Sequence, residues 1–184
     1  MSLEGIADYD TSSPMHLVIS VRTETAADIA AIHSVEASAF GREDEAALAD
    51  ALRELNQDFI SLVATVGDEI VGHVCFSRVG IEGMSGGGRY LALAPLAVLP
   101  DHQRRGIGSM LVRAGVDECR RWNVDAVFVV GDPRYYSRFG FQSGSELGVQ
   151  CEFDVPDDAF RVIELSPASM GRGVLRYPPP FHRL

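Results

Sequence analysis

A ten-residue, nearly unbroken apolar run, Tyr90 to Leu99, is followed within eight residues by a glycine-containing turn and the start of a long amphipathic segment, with a second apolar run beyond. Few folds accommodate that order. The first run is too short for a confident helix and stops at Pro100, which suits a strand buried on both faces. Next comes Gln103-Arg104-Arg105-Gly106-Ile107-Gly108-Ser109. Beyond it Ile107, Met110, Leu111, Ala114, Cys119 and Trp122 recur at helical spacing, Asn123 can close the helix, and Ala126 to Val130 reads as a second buried strand. Strand, turn, helix and strand in that order make a βαβ unit, so at least part of the sheet is parallel.

Elements on either side extend the reading. Leu17 to Val21 predicts a short strand. Thr25, with Asp28 three residues on, offers a capping-box start to a helix reaching about Phe40, with Ile29, Ile32, Val35 and Ala39 on its buried face. Asp44 to Leu55 predicts a second helix burying Leu48, Ala51, Leu52 and Leu55 and exposing Glu45, Asp50 and Glu54. Ile60 to Val66 and Ile70 to Val79 flank Gly67-Asp68-Glu69 as a hairpin, and a Gly-rich loop spans Gly83 to Gly88. After the βαβ unit, Arg134 to Phe139 predicts a short helix stopped by Gly140, and Gly148 to Val155 and Phe160 to Leu165 predict strands. Residues 1–16 read as a flexible N-terminal tail, and 17–184 as a single domain.

Composition removes several chemistries. All 16 basic residues are arginine, so a lysine Schiff base and the lysine of the common phosphate loop are both excluded. A formal net charge of −10 is the reverse of a nucleic-acid binder's footprint, and no apolar run is long enough to span a bilayer. No nucleic-acid or membrane partner is expected, and the location is expected to be cytoplasmic. Cys75, Cys119 and Cys151 are scattered without C-x-x-C spacing or a paired histidine, so they read as small core residues, with no metal site expected. Residues 1–70 hold three arginines against 14 acidic residues, and the remainder is close to neutral. Two ligands of opposite charge would suit this asymmetry; solvated helix faces explain it equally well.

The turn at Gln103–Ser109 carries the chemistry. Glycine at 106 and 108 lets bare backbone approach a ligand, and unpaired N–H groups with the positive helix dipole make a pyrophosphate a natural occupant. Arg104 and Arg105 add charge. The dinucleotide fingerprint would need a third glycine where Leu111 stands, so that reading is disfavoured.

Gln103 through Gly108 matches Q/R-x-x-G-x-G/A, and Tyr136-Ser137-Arg138-Phe139-Gly140-Phe141 matches Y-x-x-x-G-F. With Leu96-Ala97-Val98 and Pro100 in front, the chain resembles the GNAT superfamily of acyl-CoA-dependent N-acetyltransferases over roughly Val18 to Phe141. Gly131-Asp132-Pro133 and the closing Tyr-Pro-Pro resemble a branch of small bacterial acetyltransferases. The resemblance implies an α/β (α+β) fold with a mixed, splayed central β-sheet flanked by helices, and acetyl-CoA as donor cosubstrate. It implies that Leu96, Ala97 and Val98 line the pantetheine arm and that Arg104, Arg105, Gly106, Ile107, Gly108 and Ser109 cradle the pyrophosphate. A main-chain N–H near Val98 would polarise the thioester carbonyl. Tyr136 would protonate the departing thiolate, with Tyr135 as the substitute in another helix register. Family members often carry an Asn several residues before this tyrosine. Here Asp132 stands in a shorter stretch, either in that role or capping the helix.

The resemblance implies a primary amine of a small molecule or a peptide as acceptor, and the acidic helices would help to hold a cationic one. A covalent acyl-cysteine is disfavoured. No general base follows from the pattern; Glu36 is a candidate, although such residues are usually solvated, and His33, His73 and His102 have no assigned role. Members of the superfamily are often homodimers, and nothing in the sequence marks an interface. Two other readings stand beside the enzyme: a non-catalytic acyl-CoA sensor or interaction domain, and an unrelated nucleotide-binding domain.

Overall fold

A computed structural model describes residues 18–55, 58–83, 88–166 and 171–184. The expected N-terminal tail, Leu17 and most of the Gly-rich loop lie outside the described residues.

The elements run in the order β1 (Ile19–Thr23), α1 (Ile29–Phe40), α2 (Asp44–Glu54), β2 (Phe59–Val66), β3 (Glu69–Glu82), β4 (Tyr90–Val98), α3 (Ile107–Arg121), β5 (Ala126–Val130), α4 (Pro133–Tyr136), β6 (Gln142–Ser143), β7 (Val149–Cys151), β8 (Phe160–Glu164) and β9 (Gly173–Arg176), with short 3-10 turns between. The sheet order is β1-β2-β3-β4-β5-β8-β6, and β9 pairs with the far end of β3 and with β7. The expected hairpin is β2 with β3, turning at Gly67 in the left-handed region. The first strand begins two residues later than its apolar run, and the predicted Gly148–Val155 strand shrinks to the three residues of β7. Strand β9 had no sequence forecast, being four residues with little periodicity to read.

The βαβ unit forms as expected. β4 and β5 are parallel, and they pair only from Tyr90–Ala126 to Ala92–Phe128. β4 continues to Val98 without a β5 partner, while β5 pairs along its whole length with β8 on its other edge, from Ala126–Glu164 to Val130–Phe160. The sheet is therefore splayed in its middle. β3 holds the free half of β4 on the other side, through His73–Ala97 and Gly72–Val98.

Helix α3 packs on one face. Ile107, Leu111, Val112 and Val116 are buried among Val71, Val74, Phe76, Leu91 and Leu93, and burial of each side chain contributes roughly 1.5–3 kcal/mol. Two glycines allow the close approach. A Cβ at Gly72 would lie 3.1 Å from Leu111 and 3.2 Å from Ile107, and one at Gly115 would lie 2.1 Å from the Phe76 ring. Asn123, with φ of 53°, closes the helix in the left-handed conformation.

The opposite face carries α1, α2 and the C-terminal segment. Leu48, Leu52, Ala92, Phe128, Phe160, Leu175, Tyr177 and Phe181 pack there, and Ile32 and Val35 cover Val63 and Ala97. Thr25 and Asp28 form the expected capping box, with the Thr25 N–H donating to Asp28 at 2.7 Å. Arg22 also binds Asp28 and holds its carboxyl far below the usual carboxylate range.

Four helix-face expectations are corrected. Leu55, at the C-cap of α2, is exposed rather than buried. Trp122 is 37% exposed and lies under the Arg89 guanidinium at 5.3 Å, because the helix ends before its indole turns inward. Glu45 is buried, its charge met by Arg42. Glu36 is fully buried on α1 rather than solvated.

Candidate active site

The turn between β4 and α3 opens a cleft of about 510 Å³. Leu96 and Val98 contribute from the splayed half of β4, and Gln103, Arg104, Gly106, Ile107, Gly108 and Ser109 from the turn and first helical turn. Of the residues expected to bind cofactor, Ala97 and Arg105 are absent from this lining: Ala97 is buried on the α1 side of the sheet, and Arg105 is exposed. Both differences have a local cause. Successive strand residues face opposite sides of the sheet, and Arg104 takes a positive φ of 59° at the tip of the turn.

Gly106 is the N-cap of α3, with φ of 84°, a conformation an L side chain resists. The first N–H groups of α3 have no partner within the helix, and the helix dipole places partial positive charge at this end. Arg104, Arg105 and Arg138 make no salt bridge among the described residues, so the cleft retains positive potential. The Gln103 side-chain amide donates to the Val98 carbonyl at 3.0 Å and ties the turn back to the strand.

The two tyrosines occupy different places. Tyr135 lines the cleft, and its hydroxyl would lie 2.9 Å from a Cβ placed on Gly108. Tyr136 is 8% exposed and belongs to the core, edge-on to Tyr135 and Phe141. Its ring rests on Gly131, immediately beyond β5, where a Cβ would come within 2.5 Å. Burial pushes its phenol well above the ordinary value. Asp132 caps α4, accepting from the Arg134 N–H at 2.8 Å, which fixes the start of the helix that carries both tyrosines.

Sequence reasoning passed over Arg138, which lines the cleft and stacks 4.5 Å over the Tyr135 ring. Its position three residues after an expected cleft tyrosine, on the same helical face, was the available signal. His102 also lines the cleft. Glu36, His33 and His73 do not. Glu36 bonds the buried His73 Nδ1 at 2.5 Å, and His73 Nε2 lies 2.9 Å from Ser61. Outside that pair, His33 lies between Asp50 at 2.8 Å and Glu43 at 2.9 Å.

The cysteines are all unpaired. Burial raises the Cys75 thiol and pushes Cys119 up to about 12, so neither supplies a thiolate at neutral pH. Among the described residues, no group of three His, Cys, Asp or Glu side chains is placed to hold a metal ion. No helix there is long and apolar enough to cross a membrane.

Comparison with known proteins agrees with this geometry. Residues 27–141 match the model of the acetyltransferase (GNAT) family. The chain is 31% identical over 166 residues to the uncharacterized N-acetyltransferase YhbS of Escherichia coli K12, covering 89% of this chain and 98% of YhbS. It is 34% identical over 134 residues to the uncharacterized N-acetyltransferase YjhQ of the same strain, covering 71% of this chain and 74% of YjhQ. The crystal structure of Escherichia coli YhbS in complex with CoA superposes with a TM-score of 0.86 at 30% identity, over 93% of this chain and 96% of that one. A GNAT family acetyltransferase of Brucella melitensis in complex with acetyl-CoA gives 0.75 at 31% identity, over 90% and 99%. A splayed sheet, a glycine turn at a helix N-terminus and a matching family model converge: this chain belongs to the GNAT acetyltransferase family.

Proposed function

We propose that the protein, with residues 17–184 as its catalytic unit, transfers an acetyl group from acetyl-CoA to a primary amine by direct attack within a ternary complex. The carrying observation is the cleft that joins the free half of β4 to the N-terminus of α3. The donor's pyrophosphate sits on the N–H groups of Gly106 to Ser109, with Arg104 and Arg105 supplying charge. The pantetheine arm runs along Leu96 to Val98, where β4 lacks a neighbour. Arg138, stacked on Tyr135, is a further cation for the donor's phosphates.

In the chemical step the neutral amine attacks the thioester carbon, and a main-chain N–H near Val98 stabilises the oxyanion. The C–S bond then breaks, sulfur takes a proton from Tyr136, and the new amide nitrogen releases its proton to water. Tyr136 does not itself line the cleft; the role rests on its place edge-on to Tyr135, 5.0 Å between ring centroids, and on burial that keeps its phenol protonated through the neutral range. Glu36 is fully buried against His73 and does not line the cleft. With Cys75 and Cys119 held as thiols, transfer passes straight from donor to acceptor. Three unpaired cysteines fit a cytoplasmic setting.

Calorimetric titration with acetyl-CoA and CoA, with ATP and NAD as controls, tests the donor assignment, and release of free CoA thiol over an amine library tests the reaction. Selective CoA binding with thiol release supports the enzyme. CoA binding without release from any amine supports a non-catalytic acyl-CoA sensor, and displacement by ATP or NAD an unrelated nucleotide-binding domain.

A further inference from the structure

A second cavity, of about 500 Å³, touches β4 at Ala92, Leu93 and Ala94, where that strand parts from β5. The side chains of Ala92 and Ala94 pack with the α2 and C-terminal layer, whereas Leu96 and Val98 pack with the α3 layer. The two cavities therefore approach adjoining stretches of β4, Ala92 to Ala94 and Leu96 to Val98, from opposite faces of the sheet. We propose that this second cavity is the acceptor site, and that it selects a primary amine carried on an aromatic body over a polyamine or an aminoglycoside. The proposal rests on the acetyltransferase reading and specifies its substrate class.

Lining chemistry carries the choice. Phe153, Tyr177, Phe181 and His182 form a continuous wall, with ring centroids 5.0 Å apart for Phe153–Tyr177, 4.9 Å for Tyr177–Phe181 and 5.2 Å for Phe153–His182. Val130 and Ala94 complete an apolar chamber of a size suited to a small molecule. An aromatic guest gains ring contacts there beyond its burial. A polycation would lose hydration along the aromatic wall, since no Asp or Glu side chain lines the chamber among the described residues. The neighbouring Glu152 is already engaged, accepting from the Tyr177 N–H at 2.5 Å and lying 3.6 Å from His182. In α2, Asp50 pairs with Arg53 at 2.8 Å and Glu45 with Arg42, and no acid of α1 or α2 lines the chamber. They give no support to the cationic acceptor that the charge asymmetry suggested. The Tyr177 hydroxyl is buried beside the Cys151 thiol.

The test compares 2-phenylethylamine with spermidine, measuring binding by ligand-observed NMR on the apo and CoA-loaded protein and turnover by thiol release. Val130 is 41% exposed at the rim, so Val130→Trp can fill the mouth without disturbing the core. The aromatic amine is expected to bind and to be acetylated at least tenfold more efficiently than spermidine. Val130→Trp is expected to lower that efficiency about tenfold while acetyl-CoA affinity stays within twofold. Spermidine turned over as well or better, aromatic-amine binding unchanged in Val130→Trp, or no binding of 2-phenylethylamine at millimolar concentration overturns the proposal and leaves the acetyltransferase reading standing. Absence of acetyl-CoA binding overturns that reading instead, while amine binding to the apo protein still reports on the cavity.

Discussion

Glu36 of α1 and His73 of β3 meet through a 2.5 Å bond although neither has any exposure to solvent and 37 residues separate them in sequence. His73 passes the contact to Ser61 at 2.9 Å, Ser61 bonds Glu24, and Glu24 pairs with Arg53 at 2.7 Å. A polar thread therefore crosses the layer between α1 and the sheet, opposite the strand residues Ala97 and Val98. Glu36 Oε2 has no hydrogen-bond partner, and burial raises the Glu36 pKa against the opposing pull of His73.

A raised carboxyl pKa means that the folded protein holds its proton more tightly than the unfolded chain. This contribution is fully present below the unfolded value, about 4.3, and is lost as pH rises through the folded one. Glu36→Gln keeps the shape and removes the titration, so its stability relative to the parent is expected to improve from pH 5.5 to pH 8. Glu36→Ala strands His73 and is expected to cost about 3 kcal/mol. Urea unfolding of the three proteins at both pH values checks the sign and the size.

His33 titrates in the same direction from the surface. Its bond to Asp50, followed by that to Glu43, raises its pKa despite partial burial. The resulting stabilisation is complete below the unfolded value of about 6.5 and disappears as pH rises through the folded value. With the ring 40% exposed, solvent screening holds the contribution below about 1 kcal/mol. His33→Gln is expected to flatten the pH dependence of the melting temperature between pH 6 and pH 8; an unchanged profile removes His33 from the account.

At Gly106 and Gly108, valine should act on the donor by two routes. Gly106→Val forces a β-branched residue to φ of 84°, at a cost of about 1–2 kcal/mol. Gly108→Val pushes against the Tyr135 hydroxyl, 2.9 Å from the added Cβ. Each is expected to weaken acetyl-CoA binding at least tenfold while the far-ultraviolet circular dichroism stays that of the parent. Unchanged calorimetric affinity in both would remove the turn from the donor site.

The tyrosine pair separates chemistry from binding. Tyr136→Phe is expected to lower kcat about 100-fold, the lower end of the range for a lost general acid, with acetyl-CoA affinity within twofold. Tyr135→Phe, on the cleft wall beside Gly108, is expected to change KM for acetyl-CoA and leave kcat nearly intact. If kcat falls only in Tyr135→Phe, the roles exchange.

Gly115→Ala provides a purely structural check. Alanine gains about 1 kcal/mol in an exposed helix interior, yet here its Cβ would come 2.1 Å from the Phe76 ring. Net destabilisation of about 1–3 kcal/mol is expected from overpacking. A higher denaturation midpoint would mean that α3 rides further from β3 than its packing indicates.

By itself the sequence determined the βαβ unit and the turn within it, because both are local. The apolar run from Tyr90, the glycines at 106 and 108 and the periodicity from Ile107 act between residues close in the chain. The capping box at Thr25 and the cap at Asp132 were readable for the same reason. Tertiary structure alone decided where β4 leaves β5: the two strands pair only from Tyr90–Ala126 to Ala92–Phe128 although both run on, and nothing local in the chain marks the point of parting. It also turned Glu36 inward to a partner on another element, and it set Tyr135 in the cleft while seating Tyr136 against Gly131. It placed the C-terminal Tyr177 and Phe181 against Ala92 and Ala94, forming a cavity whose walls come from distant parts of the chain. Periodicity shows that a side chain is buried; which partner it meets is decided by long-range packing.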